Sequence, residues 1–377
     1  MLGLTGLGAA AMVSGCNDSS RSRQPPNVIA IIADDLGYAD LGVHGCTDFP
    51  TPNIDSIAAN GVRFTNAYVG ASVCSPSRAC LMTGRFPCTF GYMYNPFSAP
   101  DTYGLPTTET TMAEVMRSGG YKTGLIGKWH LGSRPEFMPT NRGFDEFFGF
   151  LDGPERYRAP KLADASVRTG NRLFRNTTPI EDDEYLTDAF TREACAFIER
   201  NTERPFFLVL AHQAAHVPLG APPKYLAPFA NITDEARRFY AAVVSAMDQG
   251  VGRVLDTLKK HQILDDTLIL FMSDNGGNVK ETPSVNTPFR GGKGELLEGG
   301  IRVPFFLQWP GKLAKNTQYD GTICATDVLP TFAAAARIEY KTQQPVHGVD
   351  LLPFISGKAP EDPHAALFWA QGGDTAM

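Results

Sequence analysis

The chain has 377 residues, of which 43% are hydrophobic and 10% aromatic, so it can bury a large core and is not an intrinsically disordered protein. Its formal charge of −6 and its pI near 5.7 argue against a general nucleic-acid-binding protein, which would carry a basic face. The seven cysteines are odd in number and include no C-x-x-C pair, a pattern that indicates neither a disulfide framework nor a zinc knuckle.

The N-terminal segment is apolar from Met1 to Val13 and is followed by the polar run NDSSRSRQPP. It is too short to span a bilayer and is typical of the core of a secretory signal. The residues VSGC, ending at Cys16, resemble a bacterial lipoprotein signal, in which the cysteine is lipidated. We therefore expect residues 1–26 to be a leader and linker, with a lipid anchor at Cys16 and export to the periplasm or cell surface. No positive charge precedes the apolar stretch, so the signal is expected to be incomplete; a disordered apolar tail is the alternative.

From Asn27 onward, short apolar runs alternate with helical patterns, which is typical of an α/β sheet whose strands are joined by helices. Several runs are continuously apolar, as expected for central strands that are covered on both faces. The predicted strands are NVIAIIA (27–33), TGLIG (123–127), PFFLVLA (205–211), TLILFMS (267–273) and VPFFLQW (303–309).

Helices are placed between these strands by their end signals. Pro52 opens and Gly61 closes the first one. Thr111 and Glu114 form a predicted capping box for a helix that ends at Gly119. A long helix is predicted from about Asp234 to Lys260, because apolar residues recur there at spacings of three and four.

One short helix carries an unusual cysteine. Pro76 is placed for the first turn of a helix that ends at Gly84, which puts Cys74 at its N-terminus. Unpaired backbone N–H groups at such an end favour an anion. Arg78 follows one turn later and would point a planar set of donors at the same anion.

Charged and polar residues follow four of the predicted strands. In open α/β sheets, ligands bind beyond the carboxyl ends of the strands, so these residues are expected to meet at one edge. Carboxylate and amide oxygens suit calcium or magnesium, whereas lysine and histidine supply positive charge and proton transfer for an anionic substrate. Each piece alone is also typical of a turn or of solvated charges, but four such coincidences favour a shared site. The residues are Asp34, Asp35, Lys128, Trp129, His130, His212, His216, Asp274 and Asn275.

The segment CSPSRACLMTGR (74–85) resembles the signature of the type I sulfatases, members of the alkaline phosphatase superfamily. The resemblance, closest to arylsulfatases and N-acetylgalactosamine sulfatases, continues along nearly the whole chain in NVIAIIADDLGYADLG, TGLIGKWHLG, AAHVPL, SDNGG and GGKGELLEGGIRVP. It implies an alkaline-phosphatase-like sandwich, with a large, mostly parallel sheet flanked by helices in a catalytic domain at 27–340. Residues 341–377 are expected to begin a small antiparallel C-terminal subdomain that is truncated here.

The resemblance also implies a mechanism. In similar proteins the cysteine at the position of Cys74 is oxidised by a dedicated maturation enzyme to formylglycine, whose hydrate attacks sulfur with one hydroxyl. Loss of the proton from the other hydroxyl then expels sulfate. The implied reaction is hydrolysis of a sulfate monoester, on a sulfated small molecule or, as we expect from the exported context, a glycan.

The same resemblance implies a role for each matching residue. Asp34, Asp35, Asp274 and Asn275, together with the modified Cys74, would hold one calcium ion, and Asp274 would also take the nucleophile's proton. Arg78 would stabilise the aldehyde hydrate, and Lys128 and Lys293 would bind sulfate oxygens. His130 would act as the base of the elimination step, and His216, in an H-x-P context, would protonate the leaving alcohol. His212 is expected to be a core or supporting histidine.

Two other functions stay open. One is a phosphomonoester or phosphonate monoester hydrolase of the same superfamily, and the other is a non-catalytic lipoprotein that binds sulfated glycans. The intact CSPSR segment and the Asp-Asn ligand set favour sulfate hydrolysis.

The segment from Leu151 to Thr177 is locally basic in an otherwise acidic protein. Its glycines and prolines predict a long loop. It is either an ordinary solvated loop or one that overhangs the site and engages further sulfate or carboxylate groups. Its basic residues are Arg156, Arg158, Lys161, Arg168, Arg172 and Arg175, against the acidic Asp152, Glu155 and Asp164.

Overall fold

A computed structural model of the protein describes residues 25–96, 102–153, 156–164 and 166–377. The predicted leader, including Cys16, lies outside these residues. Within them, no helix combines the length and the apolar character needed to cross a membrane.

The main architectural element is a sheet of ten strands in the order β11-β2-β10-β9-β1-β8-β4-β5-β6-β7. In chain order, the strands are β1 (Asn27–Ala33), β2 (Val62–Phe64), β3 (Ala67–Tyr68), β4 (Lys122–Lys128), β5 (Glu146–Phe150), β6 (Leu173–Arg175), β7 (Thr178–Ile180), β8 (Phe206–Ala211), β9 (Thr267–Ser273), β10 (Phe305–Gln308), β11 (Thr317–Tyr319), β12 (Ile323–Cys324), β13 (Trp369–Gln371) and β14 (Asp374–Ala376). The central strands β9, β1, β8, β4 and β5 run parallel to one another, whereas β10 is antiparallel to β9 and to β2. The predicted α/β class with a mostly parallel sheet is thus confirmed.

Helices cover both faces of this sheet. They are α1 (Pro52–Ala59), α2 (Cys74–Thr83), α3 (Met112–Ser118), α4 (Leu186–Arg200), α5 (Pro223–Leu226), α6 (Glu235–Lys260), α7 (Glu298–Ile301), α8 (Val328–Ala336) and α9 (Leu352–Ile355). Alternate residues of β1 enter two separate cores: Val28 and Ile32 pack with residues of α2, α3 and α8, and Ile29 and Ile31 pack with residues of α1, α4 and α6. Each residue of β1 is therefore buried, which is why the strand is continuously apolar.

The predicted elements agree closely with the observed ones. The runs at 27–33 and 267–273 match β1 and β9, and the capping box of Thr111 and Glu114 is formed. Helix α6 is N-capped by Asp234, whose side chain accepts a hydrogen bond from the backbone N–H of Arg237. Helix α2 begins at Cys74 itself, slightly before the predicted proline-marked turn, and Gly84 ends it in the left-handed conformation. The cysteine is thus placed at the helix N-terminus, as predicted.

The last described segment forms a two-stranded antiparallel sheet, β13–β14. Trp369 of β13 is buried, and its indole N–H donates a hydrogen bond to the backbone oxygen of Val69 at 2.7 Å. The C-terminal hairpin is therefore anchored to the segment that leads into α2.

Candidate active site

Parallel strand register brings the predicted site residues to one edge of the sheet. Ala33, the last residue of β1, pairs with Ser273 of β9, and Ala211 of β8 pairs with Gly127 of β4. The residues that follow these strands therefore emerge side by side. Gly127 permits the close approach there, because a Cβ on it would lie 1.9 Å from the backbone oxygen of Ala211.

Three carboxylates and one amide form the base of the site. Asp34, Asp35 and Asp274 are at most 1% exposed, and Asn275 is fully buried. The side-chain nitrogen of Asn275 lies 2.7 Å from Asp35 Oδ1, and Asp274 Oδ1 accepts a 3.3 Å hydrogen bond from the backbone N–H of Asp35. Asp35 has a φ of 58°, a conformation that aspartate tolerates better than most residues.

Three cations surround these carboxylates. Lys128 Nζ lies 2.6 Å from Asp34 Oδ2, and Arg78 pairs with Asp274 at 2.8 Å. Lys293 Nζ lies 2.7 Å from Asp35 Oδ2. Buried charges of one sign are costly unless they are paired in this way.

The carboxylates respond to this surrounding charge in opposite directions. Burial alone would raise the pKa of Asp34, but Lys128 and its neighbouring cations hold that pKa well below its usual range. Burial and the negative charge of Asp34 raise the pKa of Asp274 to about 7. Asp274 is therefore protonated more easily than Asp34, although each is paired with a buried cation.

Cys74 faces this charged base. Its Sγ lies 3.3 Å from Asp34 Oδ1 and 3.8 Å from Asp35 Oδ1, and the residue is 1% exposed. Burial and the charge of Asp34 raise the pKa of the Cys74 thiol well above its ordinary value. The side chain is thus a neutral thiol at neutral pH and a weak nucleophile as it stands.

Two of the three predicted histidines belong to the site. His130 is buried with neither ring nitrogen hydrogen-bonded, and burial with the nearby charge of Lys128 lowers its pKa. His216 is 11% exposed; its Nε2 lies 3.0 Å from Lys293 Nζ and 3.6 Å from Asp35 Oδ2. His212 is fully buried, makes no side-chain hydrogen bond, and has a pKa lowered to about 4 by burial, as expected for a core histidine.

The residues present fit a hard metal cation. Ligand atoms of Asp34, Asp35, Cys74 and His216 all lie within 4.8 Å of one another. Asn275 Oδ1 is buried without a hydrogen-bond partner, a costly arrangement that a cation would relieve. The predominance of carboxylate and amide oxygens suits calcium or magnesium rather than zinc.

The structure also brings in residues that sequence reasoning left without a role. The hydroxyl of Ser77 donates a short hydrogen bond to the backbone oxygen of Asp274, and that of Ser75 donates to the backbone oxygen of His130. Both serines stand in the CSPSR segment, so their position could have suggested such support. No sequence signal indicated Gln371, whose side chain hydrogen-bonds Ser72 close to Cys74.

The sequence matches a known protein family along most of its length. The family model described as Sulfatase matches residues 26–338. This chain belongs to the sulfatase family. As a sulfatase, it is a sulfuric ester hydrolase, and the predicted family and enzyme class are confirmed.

Named relatives of this sulfatase come from bacteria and mammals. The uncharacterized sulfatase YdeN of Escherichia coli is 35% identical over 91% of this chain and 68% of its own. The N-acetylgalactosamine-6-sulfatase of Sus scrofa is 35% identical over 93% of this chain and 69% of its own.

Solved structures share the fold. The crystal structure of Ps i-CgsB in complex with k-i-k-neocarrahexaose has a TM-score of 0.85 and 39% identity, over 90% of this sulfatase and 78% of that chain. The PsFucS1 sulfatase from Pseudoalteromonas sp. has a TM-score of 0.80 and 27% identity, over 93% of this chain and 76% of its own. The alkaline-phosphatase-like architecture expected from the resemblance is thereby confirmed.

Proposed function

We propose that this sulfatase hydrolyses sulfate monoesters of a sulfated carbohydrate, using a formylglycine at position 74 and one calcium ion. The observation that carries the proposal is the contact of Cys74 Sγ with Asp34 Oδ1 at 3.3 Å, inside a ring of buried cations suited to an anionic ester. Its relatives support a carbohydrate substrate, since they include N-acetylgalactosamine-6-sulfatases and Ps i-CgsB, whose structure is in complex with k-i-k-neocarrahexaose.

Maturation of Cys74 is supported by the state of its side chain. A neutral, buried thiol is a weak nucleophile, and attack through sulfur would leave an adduct with no easy exit. A formylglycine hydrate supplies both an oxygen nucleophile and a route for releasing sulfate. The CSPSR segment lies at the start of α2, and we propose that a maturation enzyme acts on it before folding buries Cys74.

Calcium is supported by the donor set. Asp34, Asp35, Asp274 and Asn275, with the modified residue 74, would hold the ion. When bound, calcium lowers the cost of ionising a nearby hydroxyl and polarises the sulfate group.

The cationic side chains are suited to bind and orient the sulfate group. Arg78 and Lys128 approach from the buried side, where each is held by a carboxylate, and Lys293 approaches from the more open side. Positive charge in a buried site stabilises negative charge on sulfate oxygens more strongly than it would in water. Arg78 is further held by its hydrogen bond to the backbone oxygen of Lys128, at 3.2 Å.

Burial lowers the pKa of both histidines, so their positions in the site, rather than a difference in pKa, assign them to different proton transfers. His130 has a lowered pKa, so its ring is neutral at neutral pH and can accept a proton from the nucleophilic group during sulfate release. His216 lies at the more open end of the site, with its Nε2 3.0 Å from Lys293 Nζ. We assign protonation of the leaving alcohol to His216 and keep Lys293, which is paired with Asp35, as a ligand of the sulfate oxygens.

Export as a lipoprotein is part of the same proposal. It rests on the sequence VSGC at Cys16 and is checked by membrane fractionation of the full-length chain. Retention of the protein in the membrane fraction, lost in a Cys16→Ser variant, would support it.

The function is tested with sulfate and phosphate esters of one phenol, 4-nitrophenol, after expression with and without a sulfatase-maturing enzyme. We expect sulfate hydrolysis only after maturation and none by a Cys74→Ala variant. Preference for the phosphate ester would favour the phosphomonoester or phosphonate ester hydrolase instead. Sulfated-glycan binding without any turnover would favour the non-catalytic lipoprotein.

A further inference from the structure

A cleft of about 1140 Å³ lies between two segments near the site, and we call it the basic cleft. One wall is formed by residues 156–161, 164, 166–168 and 171 of the predicted basic loop, and the other by residues 218–223, which follow His216 in the chain. Among its described lining residues, four are basic and one, Asp164, is acidic. The basic ones are Arg156, Arg158, Lys161 and Arg168.

The basic loop contacts both site histidines. Gly153, at the start of the loop, packs so closely on His130 that a Cβ would lie 2.6 Å from the ring carbon Cε1. Further along, the hydroxyl of Tyr157 donates a 3.2 Å hydrogen bond to the backbone oxygen of His216. The start of the loop therefore packs beside both histidines, and Tyr157 is itself part of the cleft wall.

The positive charge in the cleft is accessible. All four basic lining residues are exposed, with side chains of Lys161 and Arg168 56% and 47% exposed. Lys161 pairs with the exposed Asp183, and Arg168 with Asp152. The Lys161–Asp183 pair is exposed on both sides and contributes little free energy, so a sulfate group can compete for Lys161. Arg168 is exposed as well, but its partner Asp152 is buried.

Two basic residues of the loop have a different role. Arg172 donates hydrogen bonds to the backbone oxygens of Leu162 and Asp164, and Arg175 pairs with Glu193. Neither lines the cleft. Of the six basic residues predicted in the loop, four line the cleft and two instead form contacts within the protein.

The walls of the cleft are preorganised. Tyr157 and Tyr185 stack with their ring centroids 5.6 Å apart, and both are buried. The opposite wall contains Pro218, Pro222 and Pro223, whose rings restrict the backbone. A ligand therefore meets an apolar, restrained surface with cations along one side, a combination suited to an anionic sugar chain.

We propose that the basic cleft is a subsite for a second sulfate or carboxylate group of a polyanionic glycan, bound while the scissile sulfate lies at Cys74. The proposal rests on the proposed function in one respect, since it extends the substrate of that same site. It assigns the selection of a charged oligosaccharide to Arg156, Arg158, Lys161 and Arg168, which do not contact the reacting group.

The test compares the wild type with an Arg156→Ser/Arg158→Ser variant. A Lys312→Ser/Lys315→Ser variant is the matched control: it removes the same charge from exposed residues of the β10–β11 connection, at the opposite edge of the sheet. Binding of a multiply sulfated carrageenan hexasaccharide is measured by calorimetry in Cys74→Ala protein, and turnover of 4-nitrophenyl sulfate is measured in matured protein.

We expect the loop variant to raise the dissociation constant of the hexasaccharide about five-fold, the effect of losing two exposed charge contacts. The difference from wild type should shrink when salt is raised from about 0.05 M to about 0.5 M, because screening shortens the range of the charges. Turnover of 4-nitrophenyl sulfate should change less than two-fold, and the control variant should match the wild type in both measurements.

Several results would overturn the subsite. One is that the Cys74→Ala protein does not bind the hexasaccharide at all, and another is that the loop variant binds it as tightly as the wild type. A third is that the control variant loses as much affinity for the hexasaccharide as the loop variant. Failure of the proposed function is separate, because it would appear as absence of 4-nitrophenyl sulfate turnover while the binding measurement still decides the role of the cleft.

Discussion

Gln371 accepts two hydrogen bonds from Ser72 through one side-chain oxygen, from the backbone N–H and from the hydroxyl, each at 3.0 Å. Ser72 is fully buried and stands two residues before Cys74, whereas Gln371 is the last residue of β13. The C-terminal hairpin thus holds the segment that positions the candidate nucleophile. A buried hydroxyl and N–H that lost this acceptor would both be left without a partner.

A Gln371→Leu variant should therefore lose activity as well as stability. We expect the free energy of unfolding to fall by about 1 to 2 kcal/mol, and kcat for 4-nitrophenyl sulfate to fall about ten-fold because residue 74 is less firmly positioned. Gln344→Leu, at an exposed position, is the control. Loss of stability with an unchanged kcat would show that the contact does not position Cys74.

Maturation of Cys74 predicts a defined change in mass. In a host with a sulfatase-maturing enzyme, the peptide that contains Cys74 should lose one sulfur and two hydrogen atoms and gain one oxygen. Mass spectrometry of a digest measures this directly, and the Cys80 thiol, six residues later in the same helix, is the internal control. An unmodified Cys74 in fully active protein would exclude formylglycine.

Metal removal predicts loss of both activity and stability. Chelation should abolish 4-nitrophenyl sulfate turnover, and calcium should restore it better than zinc, because the predicted ligands are mostly oxygens. Calcium should also raise the melting temperature of the wild type but not that of an Asp35→Asn variant, since only the native state binds the ion. Activity that survives both chelation and Asp34→Ala would contradict the metal site.

Mutation of Lys128 alone should destabilise the protein more than mutation of Lys128 and Asp34 together. Both side chains are fully buried with Nζ and Oδ2 2.6 Å apart, so Lys128→Met should leave Asp34 with only the more distant Arg78, 3.7 Å away, and cost about 3 kcal/mol. Adding Asp34→Asn should recover most of this stability without restoring activity. Lys122→Met, on the same strand but partly exposed and with partly exposed partners, should cost less than about 1 kcal/mol. Chemical denaturation measures all four proteins, and equal costs at the two lysines would refute the argument.

Asp248 predicts a pH dependence of stability away from the active site. Burial raises the pKa of Asp248 to about 6, although it accepts hydrogen bonds from the backbone N–H groups of Asn53 and Ile54. Because its pKa is higher in the folded than in the unfolded protein, its contribution is largest below about pH 4 and is lost as pH rises through about 6.

An Asp248→Asn variant should remove this component. Between about pH 4 and about pH 6.5, the melting temperature of the variant should fall less than that of the wild type. The difference should correspond to about 1 to 3 kcal/mol in the free energy of unfolding. Asp256→Asn, at an exposed position of the same helix, is the control and should retain the wild-type dependence. Parallel curves for wild type and Asp248→Asn would contradict the prediction.

The sequence by itself determined the central strands and the residues that follow them. Continuous apolar runs identify strands buried on both faces, and the carboxyl ends of parallel strands share one edge, so the sequence alone places Asp34, Lys128 and Asp274 together. The helix that presents Cys74 was also predictable, because Pro76 and Gly84 act on the backbone within a few residues. These features depend on local covalent and hydrogen-bonding preferences, which a sequence displays directly.

Only the tertiary structure decided which residues surround the carboxylates of the site. The contact of Gln371 with Ser72 joins residues 299 positions apart, and no periodicity or cap records such a pairing. The position of the basic loop was likewise not readable from the sequence, and the packing of Gly153 on His130 places its first residues beside the site. The antiparallel direction of β10 was equally hidden, since a strand buried on both faces is apolar whichever way it runs. Long-range packing depends on how whole elements fit together, and that information is distributed over the chain rather than carried by any one segment.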